Sequence, residues 1–109
     1  MEHEEKTGED TEELLAFFTA LADSTRLKLV KLLCEQHEPG ALCVNALAYR
    51  LGVTQSAVSQ HMRVLRAAGL VMGKRYGYHI HYFINQDVLQ RCNELMSTML
   101  RSQSREGNK

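Results

Sequence analysis

Apolar and polar positions alternate along this chain with two different periods. Leu14, Leu15, Phe17, Phe18, Leu21 and Ala22 recur at three- and four-residue steps, which predicts a first amphipathic helix. Asp23 is placed to cap a second helix. In that helix Leu27, Leu29, Val30, Leu32 and Leu33 form a wide apolar stripe that stops before Pro39-Gly40. Val44 to Leu51 predicts a short helix, and Gly52-Val53-Thr54 a tight turn with glycine where a left-handed residue is needed. Thr54 then caps a helix from Gln55 to Ala67, with Ala57, Val58, Met62 and Leu65 on one face, and Gly69 ends it.

The period then shortens to two. Leu70 to Arg75 and Tyr78 to Ile84 predict two strands joined by a turn at Tyr76-Gly77. Tyr78, Ile80, Tyr82 and Ile84 point one way along the second strand, and His79, His81 and Phe83 the other. Helical spacing returns with Val88, Leu89, Cys92, Leu95, Met96, Met99 and Leu100. The expected fold is mainly α with a small β-hairpin: a winged helix-turn-helix of five helices and a two-stranded wing. The expected organisation is a disordered acidic arm over 1–10, a single winged helix-turn-helix domain over 11–101 and a polar tail over 102–109.

Charge adds a functional direction. The formal net charge is zero, but residues 1–13 hold seven acids and one base, while the rest of the chain holds six acids and twelve bases. No Asp or Glu occurs between Glu38 and Asp87, a stretch carrying Arg50, Arg63, Arg66, Lys74 and Arg75 together with His61, His79 and His81. A carboxylate there would repel phosphate, so the pattern points to a polyanion. Solvation of an ordinary exposed helix is the plainer explanation for each polar residue taken singly. The turn, the missing acids and the following hairpin together favour duplex DNA.

A reading helix must present small polar side chains at its N-terminal end. Here that end offers Thr54, Gln55, Ser56, Ser59 and Gln60 as candidates for base edges. Arg63 and Arg66 are candidates for phosphates, as is Arg50, and Lys74 and Arg75 near the wing tip for backbone or minor groove. The chain offers no Gly-rich phosphate loop, no nucleophile–base order and no carboxylate pair in its folded part, so an enzyme is not expected. A winged helix that binds protein is the alternative, but such a module has no reason to exclude acids from 48 consecutive residues. No run of 18 apolar residues and no signal-like start are present, so no membrane span is expected and the cytoplasm is the expected location.

Ala22-Asp23-Ser24-Thr25-Arg26-Leu27, Leu42-Cys43-Val44, the run Gly52 to Met62, Leu65 to Val71, and Gly77 to Tyr82 resemble the ArsR/SmtB family of bacterial repressors. One departure is Ser24, where the family often has Pro. The resemblance implies a homodimer joined through the first and last helices, an operator of inverted-repeat symmetry, and repression relieved by a small inducer. A constitutive repressor without an inducer is the alternative. The strongly apolar first and last helices point to the same dimer, because a shared surface buries their excess.

The inducer is open between a metal ion, a metalloid, a thiol-reactive compound and another small molecule. One family metal site needs Cys-x-Cys before the turn, and here the segment is Cys43-Val44-Asn45. Another needs Asp-x-His and a His on the last helix, and here Gln86-Asp87-Val88 is followed by a helix without His. Both sites are incomplete. A third kind of relative senses oxidants or persulfides with one Cys in the second helix and one in the last, so the resemblance makes Cys34 and Cys92 sensing candidates, beside Cys34, His37 and Cys43 as a separate set. Cys34, His37 and Cys43 are near enough in sequence to offer three ligands to a thiophilic metal ion. Cys34 and Cys92 lie on apolar stripes, where free Cys is usually a small core residue.

Overall fold

The computed structural model describes residues 2–36 and 42–107, with side chains over 8–36 and 42–101. Its elements run α1 (Glu2–Leu21), α2 (Ser24–Glu35), α3 (Val44–Leu51), α4 (Gln55–Ala67), β1 (Val71–Tyr76), β2 (His79–Ile84) and α5 (Gln86–Gly107). The five helices and two-stranded wing expected from the sequence are present in the expected order.

Local chemistry sets the boundaries. Asp23 lies in extended conformation and accepts the Arg26 N–H at 3.0 Å, starting α2. Helix α2 stops at Glu35, and the Pro39-Gly40 stop signal falls outside the described residues. Gln36 then does two jobs with one amide: its Nε2 donates to the Tyr82 carbonyl at 3.2 Å, and its Oε1 accepts the Leu42 N–H at 3.2 Å. Leu42-Cys43 thereby lies against β2, with a bridge from Cys43 to His81 and a Tyr82 N–H bond to the Leu42 carbonyl at 3.3 Å. Asn85 begins α5, accepting the Val88 N–H at 3.4 Å through its side chain.

The hairpin pairs Val71 with Ile84 at its base and Tyr76 with His79 at its end. The turn is Gly77-Tyr78, one residue beyond the Tyr76-Gly77 expected. Gly77 takes φ 62°, the glycine placement of a two-residue type II′ hairpin turn.

The core gathers all seven elements. Leu29, Leu47, Val58, Met62 and Leu65 are wholly inaccessible, and Leu70 nearly so. Leu14, Phe17 and Ala20 of α1, Tyr82 and Ile84 of β2, and Cys92 and Leu95 of α5 close around them. Burying each large side chain is worth about 1.5–3 kcal/mol.

Two helices run further than expected, and one expectation needs correction. Helix α1 begins at Glu2, within the acidic stretch 1–10. Within that stretch Asp10 accepts a hydrogen bond from Arg91 of α5 at 3.3 Å. The helix at the other end likewise extends into the polar tail, to Gly107. Finally, the apolar stripes are only partly core. Leu27 is exposed on α2, Leu15 and Phe18 on α1, and Met96, Met99 and Leu100 on α5. Leu15 and Phe18 of α1 and Met96 of α5 each stand one position beyond a buried residue, so both helices carry exposed apolar side chains beside their core stripe.

Candidate nucleic-acid interface

The helix-turn-helix is built around Gly52. It takes φ 66°, ψ 34° beyond the last residue of α3, and its N–H closes back on the Ala48 and Tyr49 carbonyls. The Val53 N–H returns to the Ala48 carbonyl at 3.1 Å. Thr54 then leaves in extended conformation, and its hydroxyl accepts the Ala57 N–H at 3.0 Å to start α4. Helix α4 runs Gln55–Ala67, the same span that the sequence predicts.

One face of α4 carries Val58, Met62 and Leu65, all buried in the core. Most of the candidate reading residues lie on the solvent side. Thr54, Gln55, Ser56, Gln60, Arg63 and Arg66 are exposed, and Ser59 is half-buried. Arg50 is exposed in the last turn of α3.

Lys74 and Arg75 are exposed on β1 but face opposite sides of the hairpin, because Lys74 pairs with His81 and Arg75 with Ile80. Lys74 Nζ stands 5.7 Å from the centroid of the Tyr76 ring, and that ring meets His81 edge-on at 5.1 Å. The wing is therefore a basic and aromatic projection.

Between α4 and the wing lies a cleft of about 300 Å³. Asn45, Gln55, Ser56 and Ser59 line one side of it, and Tyr78, His79 and Ile80 the other. Tyr78 at the wing turn is 98% exposed and Tyr49 on α3 is 90% exposed. Asn45, Tyr49 and Tyr78 are not among the DNA-contact candidates drawn from the sequence, and His79 is named there only as a strand position within the acid-free stretch. Their place within the acid-free stretch was the available signal.

The sensing candidates are not brought together. His37 lies outside the described residues. Cys34 is exposed near the end of α2, Cys92 is buried in α5, and Cys43 is half-buried ahead of α3; all three thiols are free. The exposure of Cys34 corrects its expected place in the core: Leu33 beside it is buried, and Cys34 lies on the outward side of α2. Partial burial of the sulfur, and then the Glu35 carboxylate, push the Cys34 thiol above its ordinary value. Burial does the same to Cys92. Both effects keep a thiol protonated and less nucleophilic. Among the described residues no group of three or more His, Cys, Asp and Glu side chains is placed to hold a metal ion. Among them, too, no helix is long and apolar enough to cross a membrane.

Comparison with known proteins agrees with this geometry. Residues 23–72 match the bacterial regulatory protein, arsR family. A transcriptional repressor SmtB homolog of Synechocystis sp. is 39% identical over 74 residues, which is 68% of this chain and 53% of that protein. An HTH-type transcriptional regulator of Methanocaldococcus jannaschii is 31% identical over 84% of this chain and 99% of its own length. An ArsR-like transcriptional regulator from Rhodococcus sp. RHA1 superposes with a TM-score of 0.73 at 28% identity, covering 88% of this chain and 87% of that one. The fold and site define a winged helix-turn-helix regulator. The chain belongs to the ArsR/SmtB family. It spans about half the length of the Synechocystis relative.

Proposed function

We propose that this protein is a sequence-specific DNA-binding repressor that acts as a homodimer on an operator of inverted-repeat symmetry. The observation that carries the reading is the division of α4: Val58, Met62 and Leu65 anchor it in the core, while Gln55, Ser56, Gln60, Arg63 and Arg66 are turned outward. A major groove accepts a helix presented in this way. Gln55 and Gln60 address base edges, with Ser56 and Ser59 beside them, and Thr54 fixes the helix start. Arg63 and Arg66 address phosphates. Lys74 and Arg75 carry the wing to the neighbouring backbone or minor groove.

The second copy is the partner for the exposed apolar side chains of α1 and α5. Leu15 and Phe18 of α1 and Met96, Met99 and Leu100 of α5 lie on two helices that pack on each other. Pairing two such faces buries them and sets two α4 helices on one two-fold axis, as a palindromic site requires. Selection from a random duplex pool tests the proposal. The expected result is a recovered inverted repeat with half-sites about one helical turn apart. Recovery of a single unpaired half-site, or of no sequence at all, contradicts it.

Relief of repression by an inducer is part of the proposal, and Cys43 is its best-placed thiol. It lines the cleft together with Gln55, Ser56 and Ser59, so a group bound to its sulfur intrudes on the reading helix. Cys43→Ser is expected to keep DNA affinity and to abolish release by thiol-reactive compounds or thiophilic metal ions. Unchanged release removes Cys43 from the sensing role and leaves Cys34 and Cys92 as candidates.

A further inference from the structure

Three helices meet at one guanidinium on the inner side of α4. Arg26, in the first turn of α2, donates from Nε to the Ala20 carbonyl near the end of α1. Its NH1 lies 3.3 Å from Nδ1 of His61, a half-buried residue of α4. Its own backbone N–H is held by Asp23 Oδ2 at 3.0 Å, and that same oxygen lies 3.9 Å from His61 Nδ1. Asp23 and Arg26 are the charged groups that reach this imidazole. Among the described residues, α1 contributes only the Ala20 carbonyl to the cluster, and α3 and β1, which also pack on α4, contribute no hydrogen bond or ion pair to His61.

The chemistry of this contact is one-sided. A guanidinium only donates, so the Arg26–His61 bond requires Nδ1 to be a bare acceptor, with the ring proton on Nε2. A proton added at Nδ1 sets donor against donor at 3.3 Å. That N–H then has a new partner close by, the Asp23 carboxylate, which already serves the Arg26 backbone. Protonation therefore exchanges one partner for another and loosens the guanidinium that ties α4 to α1 and α2. Helix α1 carries the proposed dimer stripe and α4 the proposed reading face, so the relative placement of those two surfaces passes through this joint.

We propose that His61 is a positioning residue for the reading helix, acting through Arg26, and that sequence-specific binding requires its unprotonated form. The inference rests on the repressor reading and adds a proton-dependent control to it. Acid also adds positive charge elsewhere on the protein, and added positive charge strengthens attraction to any duplex. The quantity that isolates His61 is thus the ratio of operator affinity to random-duplex affinity.

That ratio is to be measured from about pH 8 to about pH 5.5, the range in which imidazoles change charge. The proteins are the full-length wild type and His61→Asn, whose amide oxygen can accept from Arg26 but does not titrate. In the wild type the ratio is expected to fall about fivefold on acidification, the worth of about one hydrogen bond. In His61→Asn it stays level and close to the wild-type value at high pH. Imidazole nitrogen NMR of the free protein is expected to show the neutral His61 ring protonated at Nε2. A neutral ring protonated at Nδ1, or the same fall of the ratio in both proteins, overturns the inference. A wild-type ratio near one at every pH instead overturns the repressor reading, and this inference with it.

Discussion

Arg91 of α5 grips Glu13 of α1 with two parallel bonds, Nε to Oε2 and NH2 to Oε1, both 3.1 Å long. The same NH2 reaches Asp10 Oδ1 at 3.3 Å. This fork ties together the two helices that frame the proposed dimer face. The Arg91 hydrogen bonds, with its charge adding to them, hold the Glu13 carboxyl below the usual carboxylate range in spite of some desolvation. A carboxyl depressed by folding binds fewer protons folded than unfolded. Its stabilisation is therefore complete above its unfolded value and is lost as pH falls through the folded one. Arg91→Ala is expected to lower the melting temperature slightly at neutral pH. The gap from wild type should close as acid protonates Glu13, and it should shrink with added salt. A gap independent of pH contradicts the assignment.

Gly52 tests the turn separately from any contact. A Cβ built there meets nothing within 4 Å, so the whole cost of a side chain is the backbone conformation at φ 66°. Gly52→Ala is expected to cost about 1–2 kcal/mol in denaturant unfolding. Gly52→Asn should cost less, because Asn tolerates the left-handed region better. Equal costs for Ala and Asn would point to packing rather than to φ.

Met62 sits on the inner side of α4 with no accessible surface. Met62→Ala is expected to cost about 2–5 kcal/mol, and Met62→Leu, which nearly conserves volume, less than about 1.5 kcal/mol. Chemical denaturation of the two variants checks this. Similar small losses in both would mean that α4 is not anchored as described.

Gln60 and Arg66 separate base reading from phosphate binding. Gln60→Ala should cost about 1–3 kcal/mol of operator affinity, mainly at the bases it addresses. Arg66→Ala should weaken binding to all duplexes alike and reduce the salt dependence by about one phosphate contact. Binding-site selection with each variant distinguishes the two. An unchanged sequence preference for Gln60→Ala removes that residue from the reading face.

Much of this architecture was legible because its signals are local. The span of α4 follows from Thr54, Gly69 and the spacing of Val58, Met62 and Leu65, all within a few residues of the boundaries they set. Alternation along His79 to Ile84 gives the buried side of the wing, with Tyr82 and Ile84 inward. What the sequence hid is long-range. Asp10 reads as part of a loose acidic run until Arg91, 81 residues away, is brought beside it. Arg26 and His61, 35 residues apart, look like two unrelated polar positions. Periodicity also cannot divide an apolar stripe between core and surface. It groups Leu14 with Leu15 and Leu27 with Leu29, although Leu14 and Leu29 are buried and their neighbours are not.

The central claim is that the outward side of α4 and the wing together form a cationic surface for duplex DNA. Its most direct test is fluorescence anisotropy of a labelled duplex titrated with the protein at several salt concentrations. The wild type is compared with a variant in which Arg63, Arg66, Lys74 and Arg75 are all replaced by Gln. The expected result is a steep linear fall of log affinity with log salt in the wild type and a slope shallower by several units in the variant. Binding that ignores salt, equal slopes in the two proteins, or no binding even in dilute buffer would contradict the account.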